Sequence, residues 1–187
     1  PQASMSPDVQ SPWAGSPGSY VKISDGCDRF CSFCAIPYIR GRYHSFPLET
    51  VRASVAERVA AGVREVTLIA QDTGRWGEDF DEPSNTATLL ATLADEFPQT
   101  WFRLMYIEPQ GVSDELLDVI ASKPNVCKYL DMPLQHASKP VLRAMNRRGD
   151  ENSHRELVAR IRERVPGITL RTTLIAGFPG ETDIDFD

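Results

Sequence analysis

Five short runs rich in β-branched and aromatic residues punctuate this chain: YVKIS (20–24), EVTLIA (65–70), WFRLMYI (101–107), VCKYLDM (126–132) and ITLRTTLI (168–175). Each has the length and composition of a strand. The stretches between them carry helical spacing instead. Leu48, Val51, Val55 and Val59 share one helix face behind Pro47, a residue suited to a first turn. Leu89, Leu90, Leu93 and Phe97 make a second face, and Leu116, Leu117 and Ile120 a third, opened by Ser113 with Asp114 and Glu115 in its first turn. Ser138, Val141, Leu142 and Met145 predict a short fourth helix, and Ser153 with Glu156 predicts a capping box ahead of Leu157, Ile161 and Val165. Such alternation restricts the fold to an α/β protein whose parallel sheet is joined by right-handed crossovers, either doubly wound or curled as part of a barrel. In both architectures ligands collect at the carboxyl ends of strands, and no dinucleotide fingerprint comes after the first strand here.

The first strand leads instead into a cysteine loop. GCDRFCSFCAIP (26–37) spaces Cys27, Cys31 and Cys34 as C-x3-C-x2-C, three of the four cysteines in 187 residues. The hydrophobic fraction of 41% with 25% charged residues is that of a soluble globular protein. Neither an apolar run of about 18 residues nor a signal peptide is present, so the expected location is cytoplasmic. A reducing compartment favours metal binding or redox chemistry over disulfides for such a cluster. Three thiolates on one short loop can converge on one metal centre. Structural zinc would need a fourth ligand from a distance, from Cys127, His44 or His136. An iron-sulfur cubane held by three cysteines instead leaves one iron open to a substrate or cofactor. The residues alone leave both readings open. Cys127 itself reads as a small buried apolar residue beside a strand.

Other candidates sit at strand ends. Gln71 and Asp72, Glu108, and Gln135 with His136 are placed to line a pocket, or to cap neighbouring helices. Arg171, inside the fifth strand, needs a polar lumen or a partner, and could anchor a carboxylate. Gly177 and Gly180 suit a strand-to-helix turn. Phe30 and Phe33 are expected to pack the cysteine loop, Arg40 and Arg42 to form a basic turn or to contact a carboxylate or the edge of a cluster, and His44 and His154 to lie on the surface. No catalytic side chain is assigned. A net charge of -6 argues against a nucleic-acid partner and suits a basic protein. Residues 1–18, rich in Pro, Ser and Gly, read as a linker or frayed terminus. TLIAGFPGETDIDFD runs from strand through turn to an acidic helix start at 182–187, so the chain reads as a fragment.

Taken in order, GCDRFCSFCAIPYIRGR, AQDTGRWG, LMYIEPQG, YLDMPLQHAS and TLIAGFPGETDIDF resemble the radical S-adenosylmethionine superfamily, and its methylthiotransferase branch in particular. The resemblance covers nearly all of residues 20–187. CSFCAIP, and QDT at 71–73, look like the group acting on an aspartate of small-subunit ribosomal protein twelve more than the transfer-RNA group. Gly74 and Trp76 depart from that group's usual Thr and Tyr, and are expected at the lip of the site.

The resemblance implies a partial (β/α)6 TIM-like barrel of the radical SAM type over 19–187, ending before its last strand. It implies that Cys27, Cys31 and Cys34 hold a 4Fe-4S cluster whose open iron chelates the amino and carboxylate groups of S-adenosylmethionine. Gln71, Glu108, Gln135, Arg171 and Gly177 are the residues expected to bind the cofactor. One electron would cleave the sulfonium to a 5'-deoxyadenosyl radical, which takes a hydrogen from the aspartate β-carbon before a methylthio group is added. A second cluster on a separate amino-terminal domain, a carboxyl-terminal substrate-binding domain, and a flavodoxin or ferredoxin as electron donor are also implied. A transfer-RNA methylthiotransferase and a non-catalytic zinc module are the competing readings.

Overall fold

A computed structural model describes residues 17–187. Most of the expected linker, residues 1–16, lies outside the described residues. Strand β1 (Gly18–Lys22) begins two positions ahead of the run expected from residue 20, because Gly18 already pairs with Glu65. It leads into the two-residue β2 (Ser24–Asp25), the short α1 (Ile36–Arg40) and β3 (His44–Ser45), which pairs antiparallel with β2. Next come α2 (Leu48–Ala60), β4 (Glu65–Ile69), α3 (Thr86–Glu96), β5 (Trp101–Leu104), α4 (Asp114–Ser122) and β6 (Val126–Asp131). The chain ends with α5 (Lys139–Ala144), α6 (Glu151–Arg164), β7 (Thr169–Arg171) and α7 (Asp183–Phe186).

The main sheet is parallel throughout, in the order β1-β4-β5-β6-β7. That order decides between the two architectures the alternation allowed. Each crossover steps one place in the same direction, and right-handed crossovers that never reverse put every helix on one face of the sheet. A doubly wound sheet requires a reversal. The result is an arc of barrel type, with helices outside and, among the described residues, no helix on the inner face.

Alternation along the strands sorts side chains accordingly. Val21, Val66, Leu68, Phe102, Leu104 and Leu130 are buried against the helix layer, where Val51 and Val55 of α2, Leu89, Leu90 and Leu93 of α3, and Leu116, Leu117 and Ile120 of α4 meet them. Each such side chain contributes about 1.5–3 kcal/mol of burial. The opposite face carries charge: Arg103 pairs with Glu65 at 2.7 Å and stacks on the Tyr129 ring at 4.8 Å, while Arg171 reaches Asp131 at 3.0 Å.

One helix start matches its expected cap, and another does not. Ser113 accepts a hydrogen bond from the Leu116 amide at 3.2 Å. The capping box of α6, however, is Asp150 with Ser153, one turn earlier than Ser153 with Glu156. Asp150 accepts from the Ser153 amide at 2.9 Å while the Asp150 amide donates to Ser153 Oγ at 2.8 Å. Aspartate caps as well as serine does, so the longer helix satisfies more backbone. This turn carries His154 inward: it is 8% exposed, and not the surface residue expected. The fifth expected strand is also shorter, since β7 stops at Arg171 and only an isolated bridge between Gln135 and Leu174 continues it. Among the described residues no helix is long and apolar enough to cross a membrane.

Candidate metal and cofactor site

The cysteine loop leaves the carboxyl end of the first strand through Gly26, at φ +72°. A Cβ there would lie 2.0 Å from the Arg42 carbonyl oxygen, so the glycine lets residues 26 and 42 touch. Next to it the Cys27 amide donates to the Gly41 carbonyl at 3.1 Å, and inside the loop the Cys34 amide donates to the Cys31 carbonyl at 3.0 Å.

Contacts from distant parts of the chain hold the loop's shape. The Ser32 amide donates to the Met145 carbonyl at 3.1 Å, and Ser32 Oγ to the Ala144 carbonyl at 2.9 Å. Asn146 Nδ2 donates to the carbonyls of Arg29 and Phe30 at 3.2 and 3.0 Å. Both Phe30 and Asn146 are left-handed, at φ +49° and +56°, which is how two turns can face each other so closely. Arg29 places Nε and Nη2 on Asp72 Oδ2 at 3.0 and 2.7 Å, tying the loop to the end of β4. Arg147 donates to the Pro133 carbonyl at 2.8 Å, pairs with Glu108 after β5, and lies 3.9 Å from Cys31 Sγ. Arg29, Asn146 and Arg147 are not among the residues that the sequence singles out. For Asn146 and Arg147 the local signal is Asn-Arg-Arg-Gly, a turn-forming stretch just after a helix.

All three loop thiols are half-buried. Burial pushes the Cys27 thiol up, and the charges of Asp72, Cys31 and Cys34 add to it. Burial also pushes Cys31 up, against a hydrogen bond from Arg147. Ligation requires thiolates, so a cationic metal centre would have to supply the compensating charge. Among the described residues no three His, Cys, Asp or Glu side chains form a group that could hold a single metal ion. Zinc requires its ligands within about 2.0–2.3 Å of one point, whereas a cubane takes each thiolate on a different iron. Three cysteine thiols on one loop are a donor set that fits an iron-sulfur cluster. The distant candidates for a fourth ligand are engaged elsewhere or apart. Cys127 is half-buried within β6, His44 is exposed on β3, and His136 Nδ1 accepts from the Ser138 amide at 2.9 Å with Nε2 3.5 Å from Glu181.

Two buried acceptors at the same end of the sheet have no partner: Gln71 Oε1 beyond β4 and Asp131 Oδ1 at the end of β6. An unpartnered buried acceptor costs about 1–3 kcal/mol, so this end of the barrel suits a ligand bearing N–H or O–H donors. Gln71 is among the expected cofactor residues; Asp131 is not. Glu108 is taken up by Arg147, and burial raises its pKa against that partner. Arg171 is held by Asp131. Gln135 adopts φ +71°, its amide donating to Thr173 and its carbonyl accepting from Ile175 at 3.0 and 2.8 Å. Gly177, at φ +76°, has open space where a Cβ would be.

Expectations near the loop are corrected at three side chains. Trp76 is 2% exposed, with Nε1 donating to the Phe46 carbonyl at 2.9 Å, so it belongs to the core and not to a lip. Phe30 and Phe33 are 44% and 41% exposed, and Phe30 meets the edge of Tyr38. A loop of eight residues wrapped around a central site has too little interior to bury two aromatic rings. The apolar cavity of about 470 Å³ lined by Leu134, Val158 and Leu174 lies along α6, away from the cysteines.

The Radical SAM superfamily model matches residues 21–187. The chain is 50% identical over 168 residues to ribosomal protein uS12 methylthiotransferase RimO of Geobacter sulfurreducens, covering 90% of this chain and 38% of that protein. It is 44% identical to the enzyme of that name from Elusimicrobium minutum, covering 100% of this chain and 44% of the relative. Thus it spans less than half the length of these relatives. The fold is similar to that of the radical S-adenosylmethionine methyltransferase TsrM from Kitasatospora setae, with a TM-score of 0.71 at 17% identity, over 90% of this chain and 32% of that one. Methylornithine synthase (PylB) is similar at a TM-score of 0.61 and 12% identity, over 86% and 45%.

Proposed function

We propose, since this chain belongs to the radical SAM superfamily, that it is the cluster- and cofactor-binding part of a methylthiotransferase. The enzyme would add a methylthio group to the β-carbon of an aspartate in ribosomal protein uS12. One observation carries the proposal: three half-buried thiols on a loop fastened to the carboxyl ends of β4, β5 and β6, at the same end of the sheet as two buried acceptors that lack donors. Identities of 44–50% to RimO proteins support the substrate.

When bound, a 4Fe-4S cluster and S-adenosylmethionine supply one-electron cleavage of a sulfonium and removal of a hydrogen atom from carbon. Cys27, Cys31 and Cys34 would hold the cluster. Gln71 Oε1 and Asp131 Oδ1 are suited to accept from the amino group or hydroxyls of the cofactor. Arg171, oriented by Asp131 and otherwise exposed, has N–H groups left for a carboxylate. Gln135 and Gly177 shape the rim through left-handed backbone, and Glu108 acts through Arg147. The reading includes a second cluster on a separate domain, a flavodoxin or ferredoxin as electron donor, uS12 as the protein partner and a cytoplasmic location.

The test is anaerobic reconstitution with iron and sulfide, then reduction and electron paramagnetic resonance with and without S-adenosylmethionine. A reduced cubane signal that changes with the cofactor, and is lost when all three cysteines become alanine, is expected. Folded protein that takes up zinc and no cluster overturns the proposal. For the substrate, mass spectrometry of uS12 incubated with the full-length enzyme should find methylthioaspartate; a product on transfer RNA alone would refute that part.

A further inference from the structure

Arg147 and Glu108 form a buried pair of opposite charges whose cationic end faces one cysteine of the loop. Their side chains are 6% and 12% exposed, and Arg147 Nη1 is shared between Glu108 Oε1 and Cys31 Sγ, the latter at 3.9 Å. The other arm of the guanidinium is fixed on the Pro133 carbonyl at 2.8 Å, so the head group cannot swing away toward solvent. Neither residue holds the loop alone. Asn146, Ser32 and the Arg29–Asp72 pair already hold it, and the last of these is itself charge-balanced.

We infer that Arg147 and Glu108 set the reduction potential of the cluster held at Cys31, Arg147 raising it and Glu108 lowering it. The inference rests on the cluster assignment proposed above. Gaining one electron adds one negative charge at this place; in a titration dithionite supplies it through mediators, and no bond is made or broken. A fixed guanidinium at the ligating sulfur favours that added charge. The carboxylate behind it offsets part of the effect, because in a site this dry neither charge is screened by water.

The experiment is a redox titration of the reconstituted 187-residue chain, monitored by electron paramagnetic resonance, for the wild type, Arg147→Gln, Glu108→Gln and the double variant. Arg147→Gln should lower the one-electron reduction equilibrium at least tenfold, about 59 mV, and Glu108→Gln should raise it by a similar factor. The double variant should fall between the two. A role confined to holding the loop would reduce cluster content in both variants without moving their potentials in opposite directions. If Arg147→Gln takes up no cluster, Glu108→Gln decides alone: a potential within threefold of wild type overturns the inference. Potentials that stay put or move together in both variants also overturn it. A wild-type chain that folds but holds no cluster is a different result, and removes the proposed function as well.

Discussion

Replacing Gly26 by alanine tests whether the cysteine loop is fixed by its contact with residues 41–42. The new Cβ would sit 2.0 Å from the Arg42 carbonyl oxygen and 2.5 Å from its carbon, both backbone atoms that cannot rotate aside. Relief needs a backbone shift of about 1 Å in a closely packed place. That shift breaks the 3.1 Å hydrogen bond from Cys27 to Gly41, worth about 1 kcal/mol. Holding alanine at φ +72° costs a further ~1–2 kcal/mol. The ordered loop is then disfavoured by about 3 kcal/mol, roughly a hundredfold. Cluster content after reconstitution, from iron and sulfide analysis and absorbance, should fall sharply in Gly26→Ala, with the urea midpoint of the apoprotein little changed. Gly62→Ala is the control, because Gly62 also has a positive φ, +89°, but nothing within 4 Å of its Cβ. It should load like the wild type. Full cluster loading of folded Gly26→Ala would refute the reasoning, since it would show that the loop can reach its working shape without that contact.

Further expectations concern the surrounding scaffold. Asp72→Asn leaves Arg29, 28% exposed, without its carboxylate, and should destabilise the apoprotein by about 2–3 kcal/mol, less than a fully buried pair would; urea denaturation measures it. Trp76→Phe removes the donor to the Phe46 carbonyl and leaves a void, so a loss of about 2–4 kcal/mol is expected, and a change below about 0.5 kcal/mol would argue against its place in the core. Burial holds the His154 pKa below its usual value, with Asp150 opposing and Arg147 assisting. The unfolded chain therefore takes up this proton first, near pH 6.5, and stability should fall as pH drops below that value. His154→Gln should flatten this slope between urea midpoints taken at about pH 7.5 and 5.5, on either side of the free imidazole pKa; an unchanged slope would locate the pH dependence elsewhere.

Local spacing is enough to find the helices that cover the sheet and the loop that carries the cysteines. Val51 with Val55, Leu89 with Leu93, and Leu116 with Ile120 repeat at the helical period because one face of each helix must leave water, and that requirement is written into neighbouring positions. The spacing of Cys27, Cys31 and Cys34 is likewise a local property, set by how a short backbone wraps a centre. Strand order is not legible in this way, since an alternating pattern is the same for a barrel and a doubly wound sheet. The partners of the loop are hidden for a related reason. Arg29 finds Asp72 across 43 positions and Asn146 finds Phe30 across 116, and no period links them. Trp76 and His154 escape a sequence reading because a single large or polar residue has no repeat to declare its side. Burial along one element is a relation between residues a few places apart, so it can be read directly along the chain. Which strand ends meet at the cysteine loop depends on how crossovers order the sheet, a relation between distant segments that comes into being only when the chain has folded.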